Sequence, residues 1–219
     1  MIAVGACGRI GFDAIGDGSV PNGDGRGGDS SMGSGFSGSG CLSPGIGDSF
    51  DEIMPCKAWG EPVVDNSSLN VSNGQLTITP QANASSAGGC LLGSMPFTDA
   101  GFFVQIGQFP SAGQLQLEID DVSNDISWAI AENDLLVIEL IKTGDSMPAT
   151  IPFDTSLTWW RLRPTGTSVV YETSADGETW TVQRTAPGAA PTTVAATIED
   201  IVDDPVPGTA IIDGIDICP

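Results

Sequence analysis

The segment that decides the fold runs from Thr158 to Trp180 and reads TWWRLRPTGTSVVYETSADGETW. Apolar and polar residues alternate with a period of two in this segment, which is typical of half-buried β-strands. Two glycine-containing pairs, Thr165-Gly166 and Asp176-Gly177, interrupt the alternation, and Asp-Gly is the stronger hairpin signal. The segment therefore predicts three antiparallel strands joined by two tight turns.

The two turns predict registers that agree with each other. The first places Leu162 opposite Val169 and Trp160 opposite Tyr171, and the second places Tyr171 opposite Val182 and Thr173 opposite Trp180. Both registers give a single apolar face, which we expect to lie in a core and which consists of Trp160, Leu162, Val169, Tyr171, Trp180 and Val182. On the other face, Trp159 would lie opposite Glu172, with Arg161 diagonal to that pair.

The same alternation recurs along the chain from about residue 46 onward. No window of a dozen residues keeps a helical stripe, and the chain has 29 glycines and 15 prolines, which favour strands and turns. The chain is therefore predicted to be an all-β antiparallel sandwich of two sheets. The predicted strands are Gln75–Thr79, Gly101–Phe109, Gln114–Asp120, Ile126–Ala131, Leu135–Lys142, Thr158–Arg163, Ser168–Thr173, Glu178–Arg184, Thr192–Glu199 and Ala210–Cys218.

Composition excludes several classes of function. The 219 residues include 28 Asp and Glu but only 7 Lys and Arg, so the formal net charge is −21 and nucleic acid is not expected as a partner. The chain has 0 histidines, which excludes Ser-His-Asp and Cys-His catalysis and histidine-ligated zinc. No apolar run approaches the roughly 18 residues needed to cross a bilayer as a helix.

The stretch Thr158–Arg163 (TWWRLR), followed by Tyr171–Trp180 (YETSADGETW), resembles bacterial domains of the concanavalin A-like lectin/glucanase superfamily. An opening Asp48–Asp51 (DSFD), Trp59 and Gly74–Ile78 (GQLTI) are similar to the start of such domains. The resemblance implies a jelly roll of two antiparallel sheets over residues 46–219, of the kind also found in laminin-G and legume-lectin domains. This fold hosts lectins, glycosidases and inert spacers, so it does not by itself imply an activity.

The first 45 residues differ from the rest. Residues 16–45 consist largely of Gly, Ser and Asp, and we interpret them as a flexible acidic linker. Within residues 1–15, Val4-Gly5-Ala6-Cys7 resembles a bacterial lipobox, although only six residues precede Cys7. We expect Cys7 to be lipidated, with attachment to the bacterial outer membrane and an extracellular or cell-surface location. An accidental run of small residues before a free thiol is the alternative.

Four further cysteines are widely spaced and contain no CxxC pair, which indicates two disulfides in an oxidising compartment. Three connectivities are open, of which Cys56–Cys90 with Cys41–Cys218 is preferred. The second bridge would join the start of the domain to its last strand and would constrain the unfolded chain most. Four reduced thiols in a cytoplasmic protein are the alternative.

Glu118 and Asp120 invite comparison with the acidic strand of laminarinase- and lichenase-type glucanases on this fold. They share a strand face opposite Leu117 and Ile119. Retaining hydrolysis needs a second carboxyl group about 5–5.5 Å from the nucleophile, as acid and base. That position falls on Val122 or Ser123, neither of which can protonate a leaving group, and Asp121 points to the other side. The chain is therefore not expected to be an enzyme, and no catalytic residue is assigned.

Carbohydrate sites on sandwiches combine an aromatic platform with carboxylates and amides. A turn at Asn133-Asp134 would place Trp128 opposite Glu139, where the indole could stack on a sugar; a core tryptophan is the structural alternative. For Trp159 and Arg161, a surface cation–π pair is the alternative. The candidate carbohydrate-binding residues are Trp128, Glu139, Trp159, Arg161, Glu172, Glu118 and Asp120.

The sequence thus predicts a non-catalytic, surface-anchored lectin-like module that binds a glycan or another cell-envelope polymer. A structural or adhesive spacer and a divergent glycoside hydrolase are the alternatives. One shared surface for Trp128, Trp159 and Glu118 would favour the lectin, and separate locations would favour the spacer. Calcium occurs in this superfamily, but no ligand spacing here supports it, so neither a metal nor a cofactor is assigned.

Overall fold

A computed structural model describes residues 46–48, 50, 53–57, 60–82, 84–97, 101–121, 123–202 and 208–218. The predicted lipobox segment 1–15, the predicted linker 16–45 and the proposed lipidation site Cys7 lie outside the described residues. The same holds for Cys41, and the side chain of Cys218 is not described, so the predicted Cys41–Cys218 bridge also lies outside them.

The described residues form strands and no helix, which confirms the all-β prediction. No helix in this part of the chain is therefore long and apolar enough to span a membrane. The strands are β1 (Ile46–Asp48), β2 (Glu61–Asp65), β3 (Ser67–Ser72), β4 (Gln75–Pro80), β5 (Ser86–Pro96), β6 (Gly101–Gln108), β7 (Gln114–Asp121), β8 (Ile126–Asn133), β9 (Val137–Lys142), β10 (Ala149–Pro152), β11 (Trp159–Thr165), β12 (Ser168–Ser174), β13 (Thr181–Pro187), β14 (Thr193–Val202) and β15 (Ala210–Cys218).

The strands form two antiparallel sheets, as predicted. The eight-stranded sheet has the order β13-β12-β11-β6-β15-β4-β3, with β1 paired to β15, and the seven-stranded sheet has the order β10-β9-β8-β7-β14-β5-β2. Neighbours in each sheet are mostly distant in sequence, because the chain crosses repeatedly from one sheet to the other. This arrangement brings β7 and β14 together, about 80 residues apart in sequence, in the middle of the seven-stranded sheet.

The core lies between the two sheets and follows the alternation of the strands. In β7 and β14 every second residue is buried, so that Leu117 and Ile198 point inward while Glu118 and Glu199 point outward. Trp160, Leu162 and Tyr171 supply much of the core from the eight-stranded sheet, as predicted. Each such side chain contributes roughly 1.5–3 kcal/mol by leaving water.

The first predicted hairpin has the right face but the wrong register. Its turn is Gly166-Thr167, not Thr165-Gly166, so Leu162 pairs with Tyr171 and Trp160 pairs with Thr173. Gly166 adopts a φ of 59°, which only glycine reaches at little cost. The pairing is shifted by two residues, and an even shift keeps every side chain on its own face.

The second predicted hairpin has the wrong register throughout, since Tyr171 pairs with Arg184 and not with Val182, and Thr173 does not pair with Trp180. The connection from β12 to β13 is a six-residue loop, 175–180, and a bulge between Tyr171 and Glu172 shifts the register so that Thr173 pairs with Thr181. Side chains bind the loop amides: the Gly177 N–H donates to Ser174 Oγ at 2.9 Å and the Thr179 N–H donates to Asp176 Oδ1 at 2.7 Å. These local bonds compete with a two-residue turn. Trp180 and Val182 consequently lie outside the core.

The predicted β8–β9 register is also wrong, and here the error changes the face. Asn133 pairs with Val137 across a three-residue turn, so Trp128 lies opposite Lys142 and Glu139 lies opposite Ala131. The buried Glu132 carboxylate accepts a hydrogen bond from the Leu135 N–H and so stabilises this turn. An odd shift moves side chains to the opposite face, which puts Trp128 on the core side.

The preferred Cys56–Cys90 disulfide is present. It joins the residues before β2 to the middle of β5, and both cysteines have 0% exposure. The bridge closes a loop with a sequence separation of 34 residues, which restricts the unfolded chain.

Replacing Cys56 and Cys90 together by alanine should lower the free energy of unfolding by about 3–4 kcal/mol because the loop constraint is lost. Urea unfolding without reductant, followed by tryptophan fluorescence, measures the change. The single variant Cys56→Ala is the control and should lose a comparable amount, since one cysteine cannot keep the bridge. A loss below about 1 kcal/mol in the double variant would contradict a structural role.

Two carboxyl groups lie in the core of the sandwich. Glu132 on β8 and Asp200 on β14 both have 0% exposure, and both pair with Leu115 of β7 on its two sides. Among the described residues, no donor makes a hydrogen bond of normal distance and angle to either carboxyl oxygen of Asp200. The same is true of Glu132 Oε2. Burial and then the charge of Glu132 raise the pKa of Asp200 to about 8, while the Ala210 backbone N–H acts in the opposite direction. Burial likewise raises the pKa of Glu132 to about 7.

These shifts predict a protein that is more stable in acid than in base. The native state keeps a proton on Asp200 that the unfolded state releases near its ordinary pKa of 3.8, so stability falls as the pH rises from about 4 to about 8. Each proton retained only in the native state costs about 1.4 kcal/mol per pH unit across this window.

Asp200→Asn should therefore flatten the decline and should be more stable than wild type at pH 8, because an amide stays neutral at every pH. Urea unfolding from pH 4 to pH 8 measures both effects. The same substitution at the exposed Asp65 is the matched control and should keep the wild-type slope. An unchanged slope in Asp200→Asn would show that this carboxyl group is not protonated in the native state.

Candidate functional site

Three acidic side chains lie together on the outer face of the seven-stranded sheet. Glu118 and Asp120 project from β7, and Glu199 projects from the neighbouring β14. Glu118 pairs with Thr197, and Glu199 pairs with Gln116, so Glu199 is a diagonal neighbour of Glu118. We call Gln116, Glu118, Asp120 and Glu199 the acidic cluster.

Small residues surround the acidic cluster. On β8, Ala131, Ala129 and Ser127 lie opposite Gln116, Glu118 and Asp120 respectively. On β14, Ala195 lies opposite Asp120. The acids therefore lie among short side chains of the two neighbouring strands.

Hydrogen bonds tie the cluster together. The Gln116 side-chain amide donates to Glu118 Oε2, and Glu118 also makes side-chain hydrogen bonds with Ser127 and Asp120. The Ser127 hydroxyl lies 2.8 Å from Thr143 Oγ1, and that oxygen accepts a bond from the Ser127 N–H at 2.9 Å. The positions of the acids are thus set by three strands of the sheet.

The cluster holds protons near neutral pH. Burial, and then the charges of Asp120 and Glu199, together raise the pKa of Glu118 to about 7, against the opposing hydrogen bond from Ser127. Burial, followed by the charge of Asp120, also raises the pKa of Glu199 to about 7. At pH 7 the face therefore presents both protonated and ionised carboxyl groups, which can donate and accept hydrogen bonds.

Two of the three acids, Glu118 and Asp120, are predicted from the sequence. The predicted shared face of Glu118 and Asp120 is present, and Asp121 points to the inner side as expected, with an exposure of 7%. Ser123 lies in the β7–β8 turn, and Val122 lies outside the described residues. Glu199 was missed as a site residue because it belongs to a distant strand. The alternation in Thr197–Ile201 could have indicated its outward orientation, but not its neighbour.

Glu139 lies on the same outer face, in one row with Ala131, Gln116 and Glu199. Trp128 does not, since it belongs to the core and is only 2% exposed. The predicted pairing of the Trp128 indole with Glu139 as a stacking site is therefore wrong, because the three-residue turn shifts the register.

Trp159, Arg161 and Glu172 form a separate group on the outer face of the eight-stranded sheet. Glu172 lies directly opposite Arg161, not opposite Trp159 as predicted. Arg161 Nε and Arg163 Nε both donate to Glu172 Oε2, at 2.8 and 2.7 Å. Burial alone would raise the pKa of Glu172, but the hydrogen bonds from Arg163 and Arg161 outweigh burial and hold the pKa below its ordinary value.

Aromatic rings and the 175–180 loop cover this ion-pair group. Arg161 lies over the Trp180 ring at 4.0 Å, and Trp159 packs against Phe103 with ring centroids 6.0 Å apart. A Cβ on Gly177 would come within 2.8 Å of the Trp159 ring, so the loop lies directly against it. Trp159 is only 7% exposed and Glu172 only 3%, so neither offers a stacking or binding surface.

The predicted candidates therefore occupy three places. Glu118, Asp120 and Glu139 share the outer face of the seven-stranded sheet, Trp128 lies in the core, and Trp159, Arg161 and Glu172 lie on the opposite side of the sandwich. In the described part of the chain, no group of three or more Cys, Asp or Glu residues is arranged to hold a metal ion.

The fold is similar to that of several solved structures. A beta-glucanase of Bacillus licheniformis is 7% identical over 81% of this chain and 99% of its own, with a TM-score of 0.53. An endo-beta-1,3-glucanase from Pyrococcus furiosus is 8% identical over 78% and 92%, with a TM-score of 0.57. A pseudo beta-1,3-glucanase of Mycobacterium tuberculosis, an immunostimulatory antigen, is 14% identical over 82% and 98%, with a TM-score of 0.54.

No protein-family model and no curated protein sequence matches the chain. The structural similarity confirms the predicted concanavalin A-like jelly roll. At these identities it shows the fold alone.

Asp120→Asn should lower the pKa of both Glu118 and Glu199, because the charge of Asp120 raises both. Carboxyl carbon chemical shifts followed by NMR from pH 4 to pH 9 measure the two values directly. Asp65→Asn on the edge strand β2 of the same sheet is the control and should leave them unchanged. If Glu118 titrates identically in Asp120→Asn and wild type, the two carboxyl groups are not coupled.

Proposed function

We propose that this protein is a non-catalytic glycan-binding module and that its ligand contacts the acidic cluster. The observation that carries the proposal is the placement of Glu118, Asp120 and Glu199 on one sheet face, surrounded by alanine, serine and threonine. Similarity to glucanases supports this choice of ligand, since those proteins place carbohydrate chemistry on the same fold.

The chemistry of the cluster suits sugar hydroxyls. A hydroxyl group is both donor and acceptor, and the cluster offers an amide, ionised carboxylates and protonated carboxyl groups. None of the described tryptophans lies on this face. Recognition would therefore rest on hydrogen bonds and on the shape complementarity between the ligand and the strands that carry small side chains. Glu139 extends the polar row across β9.

We propose binding without hydrolysis because no carboxyl group follows Asp120 on the outward face of its strand, where the sequence has Val122. Retaining hydrolysis needs two carboxyl groups about 5–5.5 Å apart on either side of the scissile bond. The strand that carries Glu118 ends in a turn at Ser123, whose N–H donates to Asp121 Oδ1 at 2.9 Å. Glu199 lies level with Gln116, which is the other end of the cluster from Asp120.

We also propose a location outside the cytoplasm. The Cys56–Cys90 disulfide supports this part of the proposal, because such bridges persist in oxidising compartments. Attachment through lipidated Cys7 belongs to the same proposal. Mass spectrometry of the protein purified from membranes tests it, since diacylglycerol on Cys7 would add a fixed mass to the N-terminal peptide.

A structural spacer is the second candidate function. The specific observation in its favour is the separation of Trp128, Trp159 and Glu118 into three places, with both tryptophans buried. A spacer needs rigidity only, which the disulfide and the Arg161–Glu172 pair supply.

Binding to β-1,3-glucan and mixed-linkage β-glucan oligosaccharides should be measurable by calorimetry at pH 8, where Glu118 and Glu199 are mostly ionised because the pKa of each is about 7. Glu118→Gln and Glu199→Gln should each weaken it at least tenfold, because an amide cannot replace the ionised acceptor. Glu178→Gln, at an exposed loop position beyond β12, is the matched control and should bind as wild type.

Reducing-sugar release is measured on the same samples. Release that disappears with Glu118→Gln would overturn the non-catalytic part of the proposal. Absence of binding across a broad glycan array, with all variants folded, would favour the spacer.

A further inference from the structure

A pocket of about 330 Å³ lies at one end of the sandwich, apart from the acidic cluster. We call it the end pocket. The β7–β8 turn and the last residue of β9, Lys142, form one side, and residues 188–192, which connect β13 to β14, form the other. Trp128 and Asp121 also line it.

The Trp128 side chain brings an unused hydrogen-bond donor to the end pocket. The residue is 2% exposed, and no group in the described part of the chain accepts a bond from its indole N–H. The indole N–H groups of Trp160 and Trp180, by contrast, donate to the carbonyls of Leu157 and Gly177 at 3.1 and 3.0 Å. Trp128 Nε1 is not among the buried atoms without a partner, so it keeps contact with solvent, and Trp128 lines the end pocket. A ligand in the pocket could therefore supply an acceptor for this donor.

Lys142 brings an unpaired positive charge to the same pocket. It lies opposite Trp128 in the β8–β9 pair and is half-buried. Arg161, Arg163 and Arg184 each pair with a carboxylate, whereas Lys142 makes no ion pair with any described residue. In a chain with a net charge of −21, a lysine that lines a pocket and has no carboxylate partner among the described residues can attract an anionic ligand.

The acid in the lining does not fill this role. Asp121 Oδ1 accepts the Ser123 N–H at 2.9 Å, and Asp121 Oδ2 accepts the Asn124 side-chain amide at 2.7 Å. Both oxygens are thus used to hold the β7–β8 turn. The turn in return presents Ser123 and Asn124 to the pocket, where their polar groups suit hydroxyls.

We propose that the end pocket binds a carboxylate-bearing small molecule about the size of one sugar ring, with its carboxylate between Lys142 and the Trp128 indole N–H. Small-molecule pockets start at roughly 300 Å³, so the volume suits a single ring and not an oligosaccharide. An acidic monosaccharide unit and a simple organic acid share this chemistry. The end pocket is distinct from the acidic cluster, so this inference does not depend on the proposed function.

The test follows the indole N–H signal of Trp128 in a ¹H–¹⁵N correlation spectrum, assigned by its disappearance in Trp128→Phe. Sodium glucuronate should shift this signal in a saturable way, and glucose, which lacks the carboxylate, should bind at least tenfold more weakly. The same titration is repeated with sodium acetate. Equal binding of acetate would identify simple carboxylates as ligands, and selective binding of glucuronate would identify acidic sugars.

Lys142→Met should weaken glucuronate binding at least tenfold, while Lys142→Arg should retain it. Lys57→Met removes the same charge elsewhere and is the matched control. Glu118→Gln should leave the binding unchanged, which separates a failure here from a failure of the proposed function. The inference is overturned if neither carboxylate gives a saturable shift, if glucose matches glucuronate, or if Lys142→Met binds as wild type.

Discussion

The antiparallel pairing of β7 with β14 is the contact on which both faces of the seven-stranded sheet depend. Its register places Leu117 opposite Ile198 on the inner side and Gln116 opposite Glu199 on the outer side. A slip of one residue would bury the acids and expose the apolar residues. The hydrophobic core therefore fixes the register, and the register brings together acids from strands about 80 residues apart.

This sheet carries acidic residues on both faces, and burial raises the pKa of acids on each face. Outside, burial and then the charge of Asp120 make Glu118 and Glu199 resist ionisation. Inside, Asp200 resists ionisation because it has no solvent and little hydrogen bonding. The protein thus retains protons that a fully exposed acidic chain would lose, which partly relieves its large formal negative charge.

The sequence predicted the fold well because an even shift in strand register leaves every side chain on its predicted face. The β11–β12 turn was misplaced by one residue, yet Trp160, Leu162 and Tyr171 still reached the core. The β8–β9 turn shows the limit, because an extra turn residue reversed the face assigned to Trp128. Turn length here is set by the Glu132 carboxylate bound to a backbone amide, and a local pattern does not reveal such a contact.

For a related reason, the sequence predicts only part of the acidic cluster. Glu118 and Asp120 lie on one strand, and alternation alone places them on one face. Glu199 and the 188–192 segment become neighbours of other elements only through the order of strands in the sheets. Pairings between distant strands are not encoded in any single segment.

The same strand order is our reason for proposing a binding face and not a catalytic one. A glycosidase of this fold needs its second carboxyl group beyond the nucleophile on the same face, where a leaving group could take its proton. Here the chain turns at Ser123 before such a residue, and the extra acid enters from β14 at the opposite end of the cluster. Protons held there can be shared with hydroxyl groups along the sheet. This layout supports our proposal that the acidic face binds a glycan without cleaving it.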